Sequence, residues 1–222
     1  MDTNRKMCDL NNISWNEIAE CCMNGKAEEI FELGAFKTIH ISHSDCYISS
    51  RLVGFYHDKD IDGKTIPTSW LITSSINKDE RMCNIQTNTK SWSRLHKLLD
   101  DEIFYEVDES LAHFIRPAIK LTSNTKGAKF NKIESLESYL WIPSEVEFFG
   151  KANFSSVGEG EQYEYFKLEG RSCIPTPYRS PFIWTRSPAI ANRKSFVCVN
   201  KYGYPCIDDA NHEHGIVFGF CI

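Results

Sequence analysis

Hydrophobic and polar positions fall into a pattern first at Ser14-Trp15-Asn16-Glu17, where a Ser followed three residues later by a Glu has the form of a capping box. The Ser hydroxyl and the Glu carboxylate each take an amide that the first helical turn leaves without a partner, so a helix is predicted to start there. Ile18, Cys21 and Cys22 give it an apolar stripe. Gly25 interrupts the stripe, Ala27, Ile30, Phe31 and Leu33 resume it, and Gly34 is expected to close the segment. From Phe36 to Ile41 the pattern changes to a period of two, and Tyr47 to Tyr56 is a second strand-like run through Leu52, Val53 and Phe55. The two are predicted to form a hairpin. His57 to Lys64 reads as a solvated polar turn, and Ser69 to Thr73 as a third strand.

Helical spacing returns from Trp92 through Leu95, Leu98, Leu99, Ile103 and Phe104. Asp108 or Glu109 opens another helix through Leu111, Phe114 and Ile115, which Pro117 ends. Ala118 to Thr122 and Tyr139 to Ile142 read as strands, and Ser144 caps a short helix that Gly150 stops. Lys151 to Pro181 has no period, but its aromatics need burial, so it is expected to be an ordered loop region. Phe182 to Thr185, Ser195 to Val199 and Gly215 to Ile222 are the last strand candidates.

Composition narrows the class. At 222 residues, 41% hydrophobic and 25% charged, the chain is long and apolar enough for one globular domain with elaborations. Lys and Arg total 25 against 30 Asp and Glu, with no basic stripe to neutralise phosphates, so nucleic acid is not expected as a partner. No apolar segment follows Met1 to Asn12, and no run approaches the length of a membrane span, so neither a secretory signal nor a membrane partner is expected. Nine cysteines without C-x-x-C spacing read as free thiols in a reducing compartment, which suggests a cytoplasmic or virion-associated protein.

The tail holds the most distinctive pattern: Trp184-Thr185-Arg186-Ser187-Pro188, then Phe196 to Val199, Gly203, and Gly215-Ile216-Val217-Phe218-Gly219-Phe220-Cys221-Ile222. With LWIPSEVEFFG (Leu140 to Gly150), GEGEQYEYFK (Gly158 to Lys167), the SWNEIAECCMNGKAEEIF segment and the KSWSRLH segment, it resembles a family of uncharacterised domains found in Gram-positive gut bacteria and their phages. Those domains are similar to the C-type-lectin-like fold, shared with formylglycine-generating enzymes and with the target proteins of diversity-generating retroelements. The resemblance implies an α+β domain over 1–222, with antiparallel sheets, two main helices and a loop-rich C-terminal half. A helix-hairpin elaboration is expected over about 1–75 and a recognition segment over about 182–222.

Retroelement targets vary at outward positions held by a fixed frame. Here the frame is expected to be Trp184, Pro188, Phe196, Val199, Phe218 and Phe220, all buried. The outward, ligand-binding set is then Thr185, Ala189, Ile190, Asn192, Arg193, Tyr202, Tyr204, Cys206, Ile207, Asp208, Asp209, Asn211, His212 and His214. Tyr, Asn, Asp and His are side chains that paratopes use for adaptable contact. Tyr202, Tyr204, Asp208, Asp209, Asn211, His212 and His214 should share one side of the molecule, facing a protein or glycan ligand.

Catalytic and metal chemistry is sparse. His212-Glu213-His214 places three possible ligands in three residues, which cannot all converge on one ion, and the Asp58-Lys59-Asp60-Ile61-Asp62-Gly63 segment lacks the closing Glu of a calcium loop. No metal or other cofactor is expected. The resemblance carries no pair of Cys198, Cys206 and Cys221 onto the copper-binding cysteines of formylglycine-generating enzymes. The chain is therefore read as a binding protein and not an enzyme. Its rivals are an enzyme whose Cys, His and Glu converge only in the fold, and an assembly protein of a virion, for which oligomers are expected.

Overall fold

A computed structural model describes residues 6–42, 45–83, 94–124 and 132–222. Sheets dominate and short helices lie between them, an α+β arrangement. The Ser14 hydroxyl accepts the Glu17 amide and the Glu17 carboxylate accepts the Ser14 amide at 2.7 Å, so α1 (Trp15–Met23) starts where its capping box predicts. It buries Trp15, Ile18, Ala19 and Cys22.

The expected continuation to Gly34 does not form. After Gly25 one turn of helix, α2 (Ala27–Ile30), leads directly into β2 (Phe31–Ile41), and Phe31 and Leu33 belong to the strand. Phe31 and Ala35 also fit a period of two, and pairing with β1 (Met7–Asp9) and β3 (Cys46–Phe55) decides between the two patterns. Gly34 is not a helix stop. It lies inside β2 at φ +89°, and a Cβ there would come within 2.7 Å of the Tyr165 ring.

The first sheet runs β1-β2-β3-β4-β12, with β4 at Thr68–Ile72 and β12 at Gly219–Cys221. The expected β2–β3 hairpin is present, with Ile39 opposite Ile48. β12 pairs antiparallel to β4, Phe220 facing Trp70, so the region expected to be an N-terminal elaboration supplies most of a sheet that the tail completes. The second sheet runs β10-β9-β8-β11-β5: β10 is Pro205–Asp209, β9 Ser195–Asn200, β8 Phe182–Pro188, β11 Glu213–Gly215 and β5 Asp79–Arg81. β6 (Ala118–Asn124) and β7 (Lys132–Ser138) form a separate ribbon.

Trp92, the expected start of a helix, lies outside the described residues. From Leu95 the chain makes α3 (Leu95–Leu98), a π-helical turn (Leu99–Ile103) and α4 (Phe104–Glu106); Asp108 then caps α5 (Glu109–Ala112). Tyr139 to Ile142 is not a strand. Only Trp141 pairs there, exchanging two backbone hydrogen bonds with Gly219. Ser144 caps α6 (Glu145–Phe149), and Gly150 ends it at φ +71°. The segment read as loop contains α7 (Glu164–Glu169), which buries Tyr165 and Phe166, and a 3-10 turn at Arg171–Cys173.

The run Gly215 to Ile222, read as one strand, ends one sheet and enters the other. β11 pairs with β8 and β5, and β12 with β4. Trp184, Phe196, Phe218 and Phe220 are fully buried, as the frame reading requires. One hydrophobic cluster runs through both sheets, with Trp15, Trp70 and Phe220 rings 5.4–6.2 Å apart. Among the described residues no helix is long and apolar enough to cross a membrane.

Candidate functional site

The turn between β9 and β10 is fixed by its own residues. Asn200 Oδ1 accepts the Tyr202 amide at 2.9 Å and the Tyr204 amide at 3.1 Å, an Asx-type turn. Gly203 has φ +74°, and a Cβ there would lie 2.7 Å from the Arg171 carbonyl oxygen. With that backbone set above a buried strand, Tyr202 (69% exposed) and Tyr204 (47%) project into solvent. The Arg171 guanidinium covers one face of Tyr204 at 3.7 Å, and a groove of about 410 Å³ opens between Tyr204, Pro205, Phe154 and Lys151.

The fourteen expected contact residues divide into three groups. Ile190, Arg193, Tyr202, Tyr204, Ile207 and His212 are exposed, while Asn192, Cys206, Asp208, Asp209 and Asn211 are half-buried. Thr185, Ala189 and His214 are buried, which corrects their assignment to a ligand surface: Thr185 donates its hydroxyl to the Val197 carbonyl at 2.8 Å inside the sheet. The single shared side is also corrected. Asp208 and Asp209 are consecutive in β10 and therefore face opposite ways, Asp208 with Tyr204 and Cys206, Asp209 with Ile207. Asp209 and Asn192 meet at the Ser195 hydroxyl, at 2.9 and 2.7 Å.

His214 links the tail to the preceding loop. Its Nε2 lies 2.7 Å from Asp208 Oδ2, its Nδ1 3.1 Å from Ser180 Oγ, and its ring 4.4 Å from that of Trp184. Burial pushes its pKa below the usual histidine value, against the pull of Asp208. His212 turns to the other oxygen of Asp208 at 3.0 Å, and Glu213 pairs with Arg81. The two histidines of that triplet thus meet on one carboxylate while Glu213 turns away to Arg81, and among the described residues no group of His, Cys, Asp and Glu is arranged to hold a metal ion.

A buried charge network is the feature that the sequence reading missed. Asp58, expected in a solvated turn, is buried; its carboxylate accepts Lys120 Nζ at 2.7 Å, Ser69 Oγ at 2.7 Å and Tyr163 OH at 2.9 Å. Lys120 also donates to Tyr163 OH, pairs with Glu147 at 2.7 Å and sits 3.8 Å above the Trp141 ring. Glu147 holds Arg186 through both oxygens, and Arg186 donates further to the Leu121, Ile142 and Glu159 carbonyls. Glu159 accepts from Ser187 Oγ and from the Ser123 amide.

Burial would raise the Asp58 and Glu147 carboxyls. Lys120 and His57 outweigh it at Asp58, and Arg186 and Lys120 at Glu147, so both lie below the usual range. At Glu159 burial outweighs the hydrogen bonds of Ser187 and Ser123 and the charge of Arg186, and its pKa is raised. The network ties the β3–β4 connection, β6, α6 and β8 together. Two sequence signals touched it, the Ser144-capped helix that carries Glu147 and the Arg of W-x-R-S-P, but neither named a partner.

A cavity of about 420 Å³ lies apart from the tail, between the segment leading into α1 (Asn11 to Ser14), Trp15 and β2. Its Lys37 donates to the Leu10 and Ile13 carbonyls, so that ammonium closes the loop.

Residues 67–221, well over half the chain, match the family described as a domain of unknown function (DUF6273), and the chain belongs to that family. No curated protein and no solved structure matches it.

Proposed function

We propose that this member of the DUF6273 family is a ligand-recognition protein and not an enzyme, with its contact residues on the β9–β10 hairpin and the loops beside it. The observation that carries this reading is the pair Tyr202 and Tyr204, exposed on a turn whose backbone is fixed by Asn200 and Gly203. Large amphipathic side chains on a rigid turn lose little entropy on binding. Arg171, Lys151, Phe154 and Pro205, which line the groove beside Tyr204, supply a mixed polar and apolar surround, suited to a protein or a glycan. We further read the architecture as C-type-lectin-like, the location as cytoplasmic or virion-associated, and the exposed tail positions as diversified by a retroelement. Two tests bear on this. Ligands selected from a glycan array and a displayed protein library should protect Tyr202 and Tyr204 from hydroxyl-radical oxidation. The coding segment for residues 182–222 should have a nearby near-copy differing only at adenines; a copy differing evenly at all bases contradicts diversification.

The Ser180–His214–Asp208 chain favours a second reading, acyl-transfer catalysis with Ser180 as nucleophile and His214 as base. A fluorophosphonate that labels native protein but not Ser180→Ala supports it. Equal labelling of the two, or none, leaves recognition.

A further inference from the structure

Cys198 in β9 stands directly opposite Cys206 in β10, so the two side chains share a face of the sheet. Their Sγ atoms are 2.8 Å apart, less than 1 Å beyond the roughly 2.05 Å of a disulfide bond. Opposed residues of an antiparallel pair keep Cα atoms about 4.5–5.5 Å apart, inside the range a disulfide spans, so side-chain rotation closes the bond without moving either strand. The two thiols are unequal in access. Cys198 is fully buried and Cys206 half-exposed, so a reagent from solvent meets Cys206 first. Other buried thiols are engaged elsewhere, Cys22 with Thr68 and Cys221 with Asp58 and Ser69.

We propose that Cys198 and Cys206 form a thiol–disulfide pair, oxidised by a small-molecule disulfide such as oxidised glutathione to a cross-strand bond that clamps edge strand β10. The hydrogen bond from the Cys198 thiol lowers the Cys206 pKa and favours its thiolate, while the same contact and burial raise Cys198. The Cys206 thiolate attacks one sulfur of glutathione disulfide, breaks that S–S bond and releases one glutathione thiolate. Cys198 then gives its proton to the released thiolate, and its sulfur attacks Cys206 Sγ and expels the second glutathione thiolate, which takes a proton from water. Two protein thiols are oxidised to one disulfide while one small disulfide is reduced to two thiols. The inference stands whether or not the hairpin binds a ligand.

The test is to equilibrate the fully reduced native chain in glutathione buffers of increasing oxidised fraction, quench with acid, and map linked peptides without reduction. The expected result is a Cys198–Cys206 link as the first disulfide to form, with alkylation lost at both positions together. In Cys198→Ser, checked for folding by circular dichroism, Cys206 should stop at a stable glutathione adduct; Cys206→Ser, at the more tolerant position, should form neither. A stable glutathione adduct on Cys206 in the native chain, a different pair linking first, or both thiols remaining alkylatable throughout would overturn the proposal.

Discussion

Lys120 holds two carboxylates and an aromatic face in a place without solvent, so the cost of losing it lies in what is left behind. With Lys120→Met, Asp58 and Glu147 keep their burial but lose a cation. Removing one partner of a buried pair costs about 3–5 kcal/mol. Urea unfolding of Lys120→Met should show a loss of that order, and a change under about 1 kcal/mol would mean that the network carries little stability. Acid should weaken the same fold in two windows. His57 and His214 are pushed below their usual value by burial, so the unfolded chain binds their protons first and stability falls as pH drops below about 6.5. The depressed carboxyls of Asp58 and Glu147 add stability that is fully present above their unfolded values near 4 and is lost as pH falls further. Urea midpoints should therefore decline below about pH 6.5 and again below about pH 4, with the raised Glu159 carboxyl opposing the fall between the two windows, and a midpoint unchanged down to pH 5 would count against the histidine part. The Ser14–Glu17 box and the Ser144 cap were legible because a cap acts within one turn of chain. Asp58 and Lys120 lie 62 positions apart, and nothing local in either marks the other.

Elements were legible where one period had no competitor. The β2–β3 hairpin and α6 lie where their patterns predict. At Phe31 two periods overlapped, and strand pairing overrode the helical one. Within the tail, Gly219 lies directly under Trp141, and a Cβ at that position would overlap the indole. Gly219→Ala should accordingly destabilise by about 1–3 kcal/mol, the usual cost of overpacking, and a neutral thermal shift would show that the indole can move aside. The hairpin turn should behave in the opposite way. Tyr202→Ala removes an exposed side chain and should change unfolding free energy by no more than about 0.5 kcal/mol. A larger loss would make Tyr202 a structural residue and remove it from the contact set.

At the scale of the whole molecule, the α+β class was what the family resemblance implied, with helical and strand-like periods both present along the chain, and the buried aromatic frame followed the spacing of the tail. How the sheets share strands did not, because β12 crosses from the second sheet to pair with a strand about 150 residues earlier, and pairing that distant leaves no local pattern. Nor could the sequence separate outward residues from the buried Thr185, Ala189 and His214, since bulges and sheet edges decide which side of a strand meets solvent. What remains is a smaller surface, centred on Tyr202 and Tyr204 and held by the Asn200 turn and Arg171. Its role is tested most directly by titrating one selected glycan or protein ligand against the native chain and Tyr202→Ala/Tyr204→Ala, both shown folded by equal thermal unfolding. The account predicts at least about a tenfold loss of affinity in the double variant, the weight of about 1.4 kcal/mol or more that central aromatic anchors carry. Unchanged affinity in the double variant, or no ligand bound by the native chain, would contradict it.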